Sequence, residues 1–494
     1  MDDRFPPCPK GFNLAAHALR HAAALAEKPA LIVPAEPPDV WSYARLEAAV
    51  RGVGTGLRAL GLCPGDRVLM RLGNTPAFPI LFPGAIAVGL VPVPTSAALT
   101  VAEITAMARS LSPALIVAEP GVALPDSPAP VLRADAVLAM AVLQPCAYLI
   151  TDPDQLAYIV FTSGTSGRPL AVGHAHRALW ARGMMHQGWQ GLRAEDRVLH
   201  AGAFNWTYTL GAGLLDPWTV GATALIRGPG TVTADLGALL EQSEATIFAA
   251  APGVYRQMLK APLPALPHLR HGLSAGESLA PGLRMAWRAA TCTDVHEAIG
   301  LSECSTFLSG SPAQPAPMGS LGFAQPGRRL AVLDDAGMSA DRGTLAIHRD
   351  DPGLMLGYIA APEATAARYS GDWFLTGDLV ARDPAGAYRY LGRVDDMMNA
   401  GGYRVSPQEV EAAMTGCPGL IDCAAAEIAG RDGTRIIACF YTAEADLDAD
   451  FLAAHAAASL ARYKQPRRFI RLDALPRNAN NKLNRRALTL PEAP

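Results

Sequence analysis

Thr162 to Gly167 read Thr-Ser-Gly-Thr-Ser-Gly, directly after the apolar run Tyr158 to Phe161. Glycines let successive backbone N–H groups point one way, and hydroxyls add donors, so such a stretch can cradle a phosphate. The apolar run predicts a buried strand that stops at a polar turn. No Gly-Lys-Ser/Thr follows at Walker A spacing, so the loop is not of that class. On these residues alone it is either a phosphate cradle or a flexible Ser/Gly turn. Lys482, beside a turn at Asn480-Asn481, reads by itself as an ordinary surface lysine in a polar tail. Asp378, in a Gly-Asp step, reads by itself as a β-turn aspartate.

Composition bounds what these groups serve. The chain is 50% hydrophobic and 18% charged over 494 residues, enough for a sizeable core and against global disorder. That length suits roughly three domains, or one large domain plus a small one. The formal charge is −3 and no Lys/Arg block has nucleic-acid-binding length, so no nucleic-acid partner is expected. The densest basic run, Arg462 to Arg471, either contacts small-ligand phosphates or is solvated surface. The eight cysteines show no C-x-x-C spacing, which argues against a zinc or redox motif. The N-terminus lacks signal-peptide form, and no apolar run reaches about 18 residues. A cytoplasmic protein without a membrane span, monomeric or homodimeric, is expected.

The elements that must position these groups follow from periodicity. Residues 14–27 predict an Ala-rich amphipathic helix, 29–33 a strand, and 41–61 a long helical period ending at Gly61. Pro64-Gly65 predicts a turn before an alternating strand, and residues 78–94 a helix followed by a strand. Residues 119–146, rich in Pro and Ala, predict a surface connection. Strand–helix alternation continues through 245–259, with strands again at 271–279 and 298–307, which predicts an α/β architecture. Ser406-Pro407-Gln408-Glu409 opens a helix, with Ser406 as cap, Pro407 first and Glu409 as the reciprocal capping-box partner. The last hundred residues suit a small α+β domain.

Seven separated stretches occur in one order: TSGTSGRP (162–169), SAGE (274–277), GLSE (300–303), WFLTGD (373–378), GRVDD (392–396), GGYRVSPQEVE (401–411) and PRNANNKLNRRAL (476–488). Together they resemble the adenylate-forming superfamily of acyl-CoA synthetases, peptide-synthetase adenylation domains and luciferases. SAGE, PWTVGA and GLSECSTF resemble the benzoate-CoA and medium-chain acyl-CoA ligases in particular. The resemblance implies an α/β fold with a large N-terminal domain of stacked α/β sheets and a β-barrel-like subdomain (1–392). A hinge (393–395) and a small mobile α+β C-terminal domain (396–494) would follow. It also implies the cofactors and substrates ATP, Mg2+, CoA and a carboxylic acid.

Residue by residue, the resemblance implies the following. Lys482 reaches the α-phosphate and the attacking carboxylate; the glycine usual before it is Asn481. Glu303 holds Mg2+, and Ser302 lies beside the α-phosphate. Thr162, Ser163, Gly164, Thr165, Ser166 and Gly167 cover the β- and γ-phosphates. Gly276, Glu277 and Ser278 line the adenine pocket, Glu297 accepts the adenine amino group, and Ile299, Gly300 and Leu301 pass under adenine and acyl group. Asp378 and Arg393 take the ribose. Asp395 is the hinge, and Gly401, Gly402, Tyr403 and Arg404 face CoA. Trp206, Tyr208, Leu210, Ala251, Leu301 and Phe307 are acyl-pocket candidates. Asn205 stands where amino-acid-activating relatives place an aspartate near Phe204, which argues against an amino-acid substrate. Leu170-Ala171 replace the family's Lys-Gly after the loop, removing a cation near the leaving pyrophosphate.

These readings predict an ATP-dependent carboxylate–CoA ligase for an aromatic, alicyclic or medium-chain acid. The alternatives are a stand-alone adenylation enzyme loading a carrier-protein thiol, and a nucleotide-binding homologue with impaired catalysis.

Overall fold

A computed structural model describes residues 5–34, 37–162, 169–228, 230–394, 396–400, 403–429, 435–477 and 483–489. The chain divides into two compact units: Met1–Arg329 with His348–Trp373, and Leu330–Ile347 with Phe374–Pro494.

In the first unit, a nine-stranded sheet among the described residues carries the parallel strands Val295–Leu301, His271–Ala275, Ile247–Ala250, Arg197–His200, Thr223–Ile226 and Pro29–Val33 in that spatial order. Antiparallel strands Ser305–Ser309 and Asp39–Ser42 flank them. Leu199, Phe248, Ile247 and Leu273 are each buried to 1% exposure or less, because helices cover both faces of the parallel core. A second, wholly parallel sheet runs Val91–Pro94, Arg67–Arg71, Leu115–Ala118, Val131–Arg133.

Three sequence expectations change here. Arg67–Arg71 is not a half-exposed alternating strand; its neighbours bury it on both faces, and the Arg71 guanidinium turns onto the carbonyls of Ser96, Leu99 and Ala123. The predicted 14–27 helix keeps only Leu14–Ala18 and then breaks into turns. Tertiary anchors override its alanine propensity: Asn13 donates to Ile86 and Leu149 carbonyls, His21 meets the Thr219 carbonyl, and Lys28 donates to those of Ala194 and Gly221. Residues 119–146 are not a bare connection. They contain the strand Val131–Arg133 and the helix Ala134–Met140, which packs on the long helix Tyr43–Ala59 where Gly52 and Gly56 leave room. A Cβ at Gly56 would lie 2.5 Å from Met140 Cγ.

The strand predicted at Tyr158–Phe161 starts two residues earlier, as Leu156–Phe161, half of an antiparallel hairpin with Ala171–Ala175, and Gly357–Tyr358 adds a third strand. Thr162 N–H donates to the Leu170 carbonyl, and Leu170 N–H donates to Thr162 Oγ1 (3.4 Å), closing the neck of the loop. A Walker loop instead joins a strand to a helix.

The second unit holds antiparallel strands Leu330–Leu333, Arg342–His348, Trp373–Arg382 and Tyr388–Arg393, which agree with the turn-rich composition. A small α+β layer follows: strands Asp422–Ala429, Arg435–Thr442 and Arg468–Arg471, with helices Pro407–Met414 and Ala449–Ser459. Ser406 caps the first helix through Glu409 N–H, as expected. The Glu409 carboxylate, predicted to reach back to the cap, pairs instead with Lys464.

Candidate active site

Several predicted residues sit at the C-terminal ends of adjacent parallel strands. Trp206 follows Arg197–His200, Ala251 follows Ile247–Ala250, Gly276–Ser278 follow His271–Ala275, and Ile299–Leu301 end Val295–Leu301. Ligands of open α/β sheets bind outside these carboxyl ends, where loops replace the ladder.

The turn after Leu301 is built tightly. Gly300 lies at a register shift against Ser305–Ser309, and a Cβ there would stand 2.4 Å from the Ser305 carbonyl oxygen. Ser305 itself adopts φ 62°. Ser302 is partly exposed, and its carbonyl is 2.8 Å from His174 Nε2 in the hairpin strand. Glu303 is 9% exposed; its backbone carbonyl accepts from Met355 N–H, and its Oε1 accepts from the Tyr358 hydroxyl at 2.6 Å. Glu303 Oε2 has no hydrogen-bond partner among the described residues. A carboxylate held at one oxygen and open at the other suits a hard cation such as Mg2+, so this donor fits the implied metal.

Gly276 needs its glycine, since φ is 98°. Glu277 is half-buried and Ser278 exposed. Glu297, 5% exposed, accepts from Leu279 N–H (3.0 Å) and pairs with Arg284 (3.2 Å). Burial pushes its carboxyl up to about 7, against the lowering influence of that N–H and Arg284. Both of its oxygens thus already bind protein groups.

Among acyl candidates, Trp206, Ala251 and Leu301 are partly exposed, while Leu210 and Phe307 are enclosed at 2% and 0%. Tyr208 is 5% exposed, stacks edge-on with Trp206 and His200, and spends its hydroxyl on the Leu273 carbonyl. Tyr208, Leu210 and Phe307 therefore pack as core. Phe204 is buried and stacks on Phe78, with Asn205 partly exposed beside it.

In the second unit, Asp378 Oδ1 accepts from Arg393 (3.1 Å) and from the Tyr390 hydroxyl (3.3 Å). Gly377, at φ 78°, lies under the Arg393 guanidinium, where a Cβ would come within 2.8 Å. Tyr403 and Arg404 lie on the strand Tyr403–Val405. Ser163, Gly164, Thr165, Ser166, Gly167, Asp395, Gly401, Gly402 and Lys482 lie outside the described residues.

Sequence reasoning missed the groups that hold the Ser302–Glu303 turn. His174 and Tyr358 carry no motif of their own. Behind them Arg182 clasps Asp216 with two bonds of 2.6 Å, Gln190 adds a third at 2.7 Å, and Arg182 also donates to Ser305 Oγ. The available signal was a charge inside an apolar run, Asp216 in GLLDPW and Arg182 in LWARGMM, which marks a buried pair.

No helix among the described residues is long and apolar enough to cross a membrane. The family model described as "AMP-binding enzyme" matches residues 19–359, and "AMP-binding enzyme C-terminal domain" matches 409–482. The chain is 30% identical to a benzoate–CoA ligase of Thauera aromatica, covering 90% of each chain. It is 27% identical to a mitochondrial acyl-coenzyme A synthetase of Homo sapiens, over 91% of this chain and 84% of the relative. A solved benzoate CoA ligase from Burkholderia xenovorans LB400 superposes with a TM-score of 0.86 at 27% identity, covering 97% of this chain and 99% of that one.

Proposed function

The chain belongs to the AMP-binding enzyme family, and from that premise we propose an AMP-forming ligase that joins a carboxylic acid to coenzyme A. In the first half-reaction a carboxylate oxygen attacks the α-phosphorus of ATP, and the bond to pyrophosphate breaks. In the second, a thiol sulfur attacks the acyl carbonyl, and AMP leaves. The observation that carries this reading is the placement of Ala251, Gly276, Glu277 and Ile299–Glu303 at the ends of adjacent parallel strands. That edge suits a nucleotide beside an acyl group.

Each half-reaction develops negative charge on oxygen, which fixed donors and cations must face. Ser302 donates beside the α-phosphate, and Glu303 would hold Mg2+, which when bound neutralises phosphate oxygens. Thr162 and residues 163–167 cradle the outer phosphates. Asp378, with Arg393, takes the ribose hydroxyls. Lys482 neutralises the α-phosphate and the incoming carboxylate. Asp395 is the hinge, and Gly401–Arg404 admit the thiol arm. Glu297, which accepts from Leu279 N–H, is read as supporting the adenine loop rather than touching the base.

The acid is aromatic, alicyclic or medium-chain; the benzoate relative supports the aromatic part of that range. Cytoplasmic action on free CoA is part of the proposal. Leu170, in place of a loop lysine, favours a second reading, a homologue with impaired first-half chemistry. Incubation with ATP, Mg2+, CoA and a panel of such acids should yield an acyl-CoA and AMP. Trapped adenylate without thioester would redirect the acceptor to a carrier protein; no pyrophosphate with any acid would leave only the impaired homologue.

A further inference from the structure

Tyr358 stands where three pieces of the first unit meet. Its backbone pairs with Val172, and Gly357 pairs with Gly173, in the strand that leaves the phosphate-loop hairpin. Its N–H donates to Thr365 Oγ1 at 2.9 Å. Two neighbours tighten the joint: Leu356 N–H donates to the Gly173 carbonyl (2.8 Å), and Met355 N–H donates to the Glu303 carbonyl (2.7 Å). The ring is 7% exposed, and its hydroxyl donates to Glu303 Oε1 at 2.6 Å. That separation is a short O–H···O hydrogen bond.

The Glu303 side chain has two oxygens and a soft terminal torsion. A donor fixed on Oε1 stops the carboxylate from turning and leaves Oε2 without a hydrogen-bond partner among the described residues. The donor is rigid because its own backbone is part of the hairpin sheet. Thus, beside the backbone bond from Met355 and the His174–Ser302 contact, one side chain links the hairpin that carries the 162–167 loop directly to the carboxylate of Glu303.

We propose that Tyr358 is a positioning residue for the nucleotide-bound divalent cation: its hydroxyl orients Glu303 so that a single oxygen is presented, in register with the phosphate-loop hairpin. This rests on the functional reading above and goes beyond it, since no motif of the chain points to Tyr358. Partners that orient metal-binding side chains contribute about 10- to 100-fold to metal affinity.

The test uses Mn2+ as the probe, with a non-hydrolysable ATP analogue and the full-length protein, and reads bound Mn2+ by electron paramagnetic resonance. Tyr358→Phe should weaken Mn2+ binding about tenfold or more, while the far-UV spectrum and melting temperature stay close to wild type. In turnover it should raise KM for the metal–ATP complex, and it should leave thioester formation from supplied acyl-AMP unchanged. In a Glu303→Gln background, Tyr358→Phe should add no further loss of Mn2+ affinity. Unchanged Mn2+ affinity in Tyr358→Phe overturns the proposal. So does an equal loss in the Glu303→Gln background, because Tyr358 would then act elsewhere. If the wild type itself binds no Mn2+ with the analogue, the functional reading falls first.

Discussion

Glu297 shows how placement changes the role a residue type suggests. The family resemblance makes Glu297, just before AIGLSE, an acceptor for the adenine amino group. In the fold it is buried, and burial outweighs its partners because Arg284, 30% exposed, is partly screened by water. Its carboxyl rises from the ordinary 4.5 to about 7, so the folded state prefers the neutral acid. A raised pKa contributes stability below about 4.5 that is lost as pH climbs through about 7. Glu297→Gln keeps an acceptor for Leu279 N–H and cannot ionise. Its melting temperature should therefore fall less than that of the wild type between about pH 5 and pH 8. Parallel curves for the two proteins would show that burial does not dominate at this carboxyl. Tyr358 is the complementary case: a residue without a motif that tertiary structure brings to a motif residue.

At the scale of elements, the Ser302–Glu303 turn is held from behind as much as from the front. Arg182 follows the helix Arg177–Ala181, Asp216 opens the helix Asp216–Val220, and Ser305 begins the next strand. Two π-helical stretches, His186–Gln190 and Gly211–Leu215, bring Gln190 and Asp216 together. Gly211 makes room, since a Cβ there would overlap the Arg182 guanidinium at 1.9 Å. Burial pushes the Asp216 carboxyl up, but Arg182 and His186 override it and hold it well below the usual range. Removing one partner of a buried pair leaves the other charge stranded. Asp216→Asn should lower unfolding stability by about 3–5 kcal/mol, measured by urea titration. A loss below about 1 kcal/mol would mean that water reaches Arg182.

At the scale of the molecule, the proposed scheme asks opposite things of Lys482 in its two half-reactions. A cation that helps ATP and carboxylate meet is not needed when the thiol attacks. If Lys482 serves only the first half, Lys482→Ala should abolish adenylate formation by about 100-fold or more, yet spare thioester formation from supplied acyl-AMP. Equal loss in both halves would contradict that division. Asp395→Pro should do the reverse, since proline fixes φ near −65° and removes the hinge's freedom. Stopped-flow pyrophosphate release and single-turnover acyl-CoA formation separate the two; CoA transfer at the wild-type rate in Asp395→Pro would remove the hinge from the scheme.

The order of motifs along the chain, the strand–helix alternation and the capped start at Ser406 were legible from residue types, because periodicity and turn chemistry act over a few neighbours. They were enough to identify the family. Short or small-residue elements were not legible: the 14–27 helix was cut at Ala18 by anchors on Ile86, Leu149 and Thr219, and the helix Ala134–Met140 hid in a Pro- and Ala-rich stretch. Tertiary structure alone decided that Tyr208 and Phe307 are core, that Glu297 faces Arg284, and that Tyr358 meets Glu303 across 55 residues. Burial and hydrogen-bond partners come from segments distant in the chain, so no local pattern encodes them.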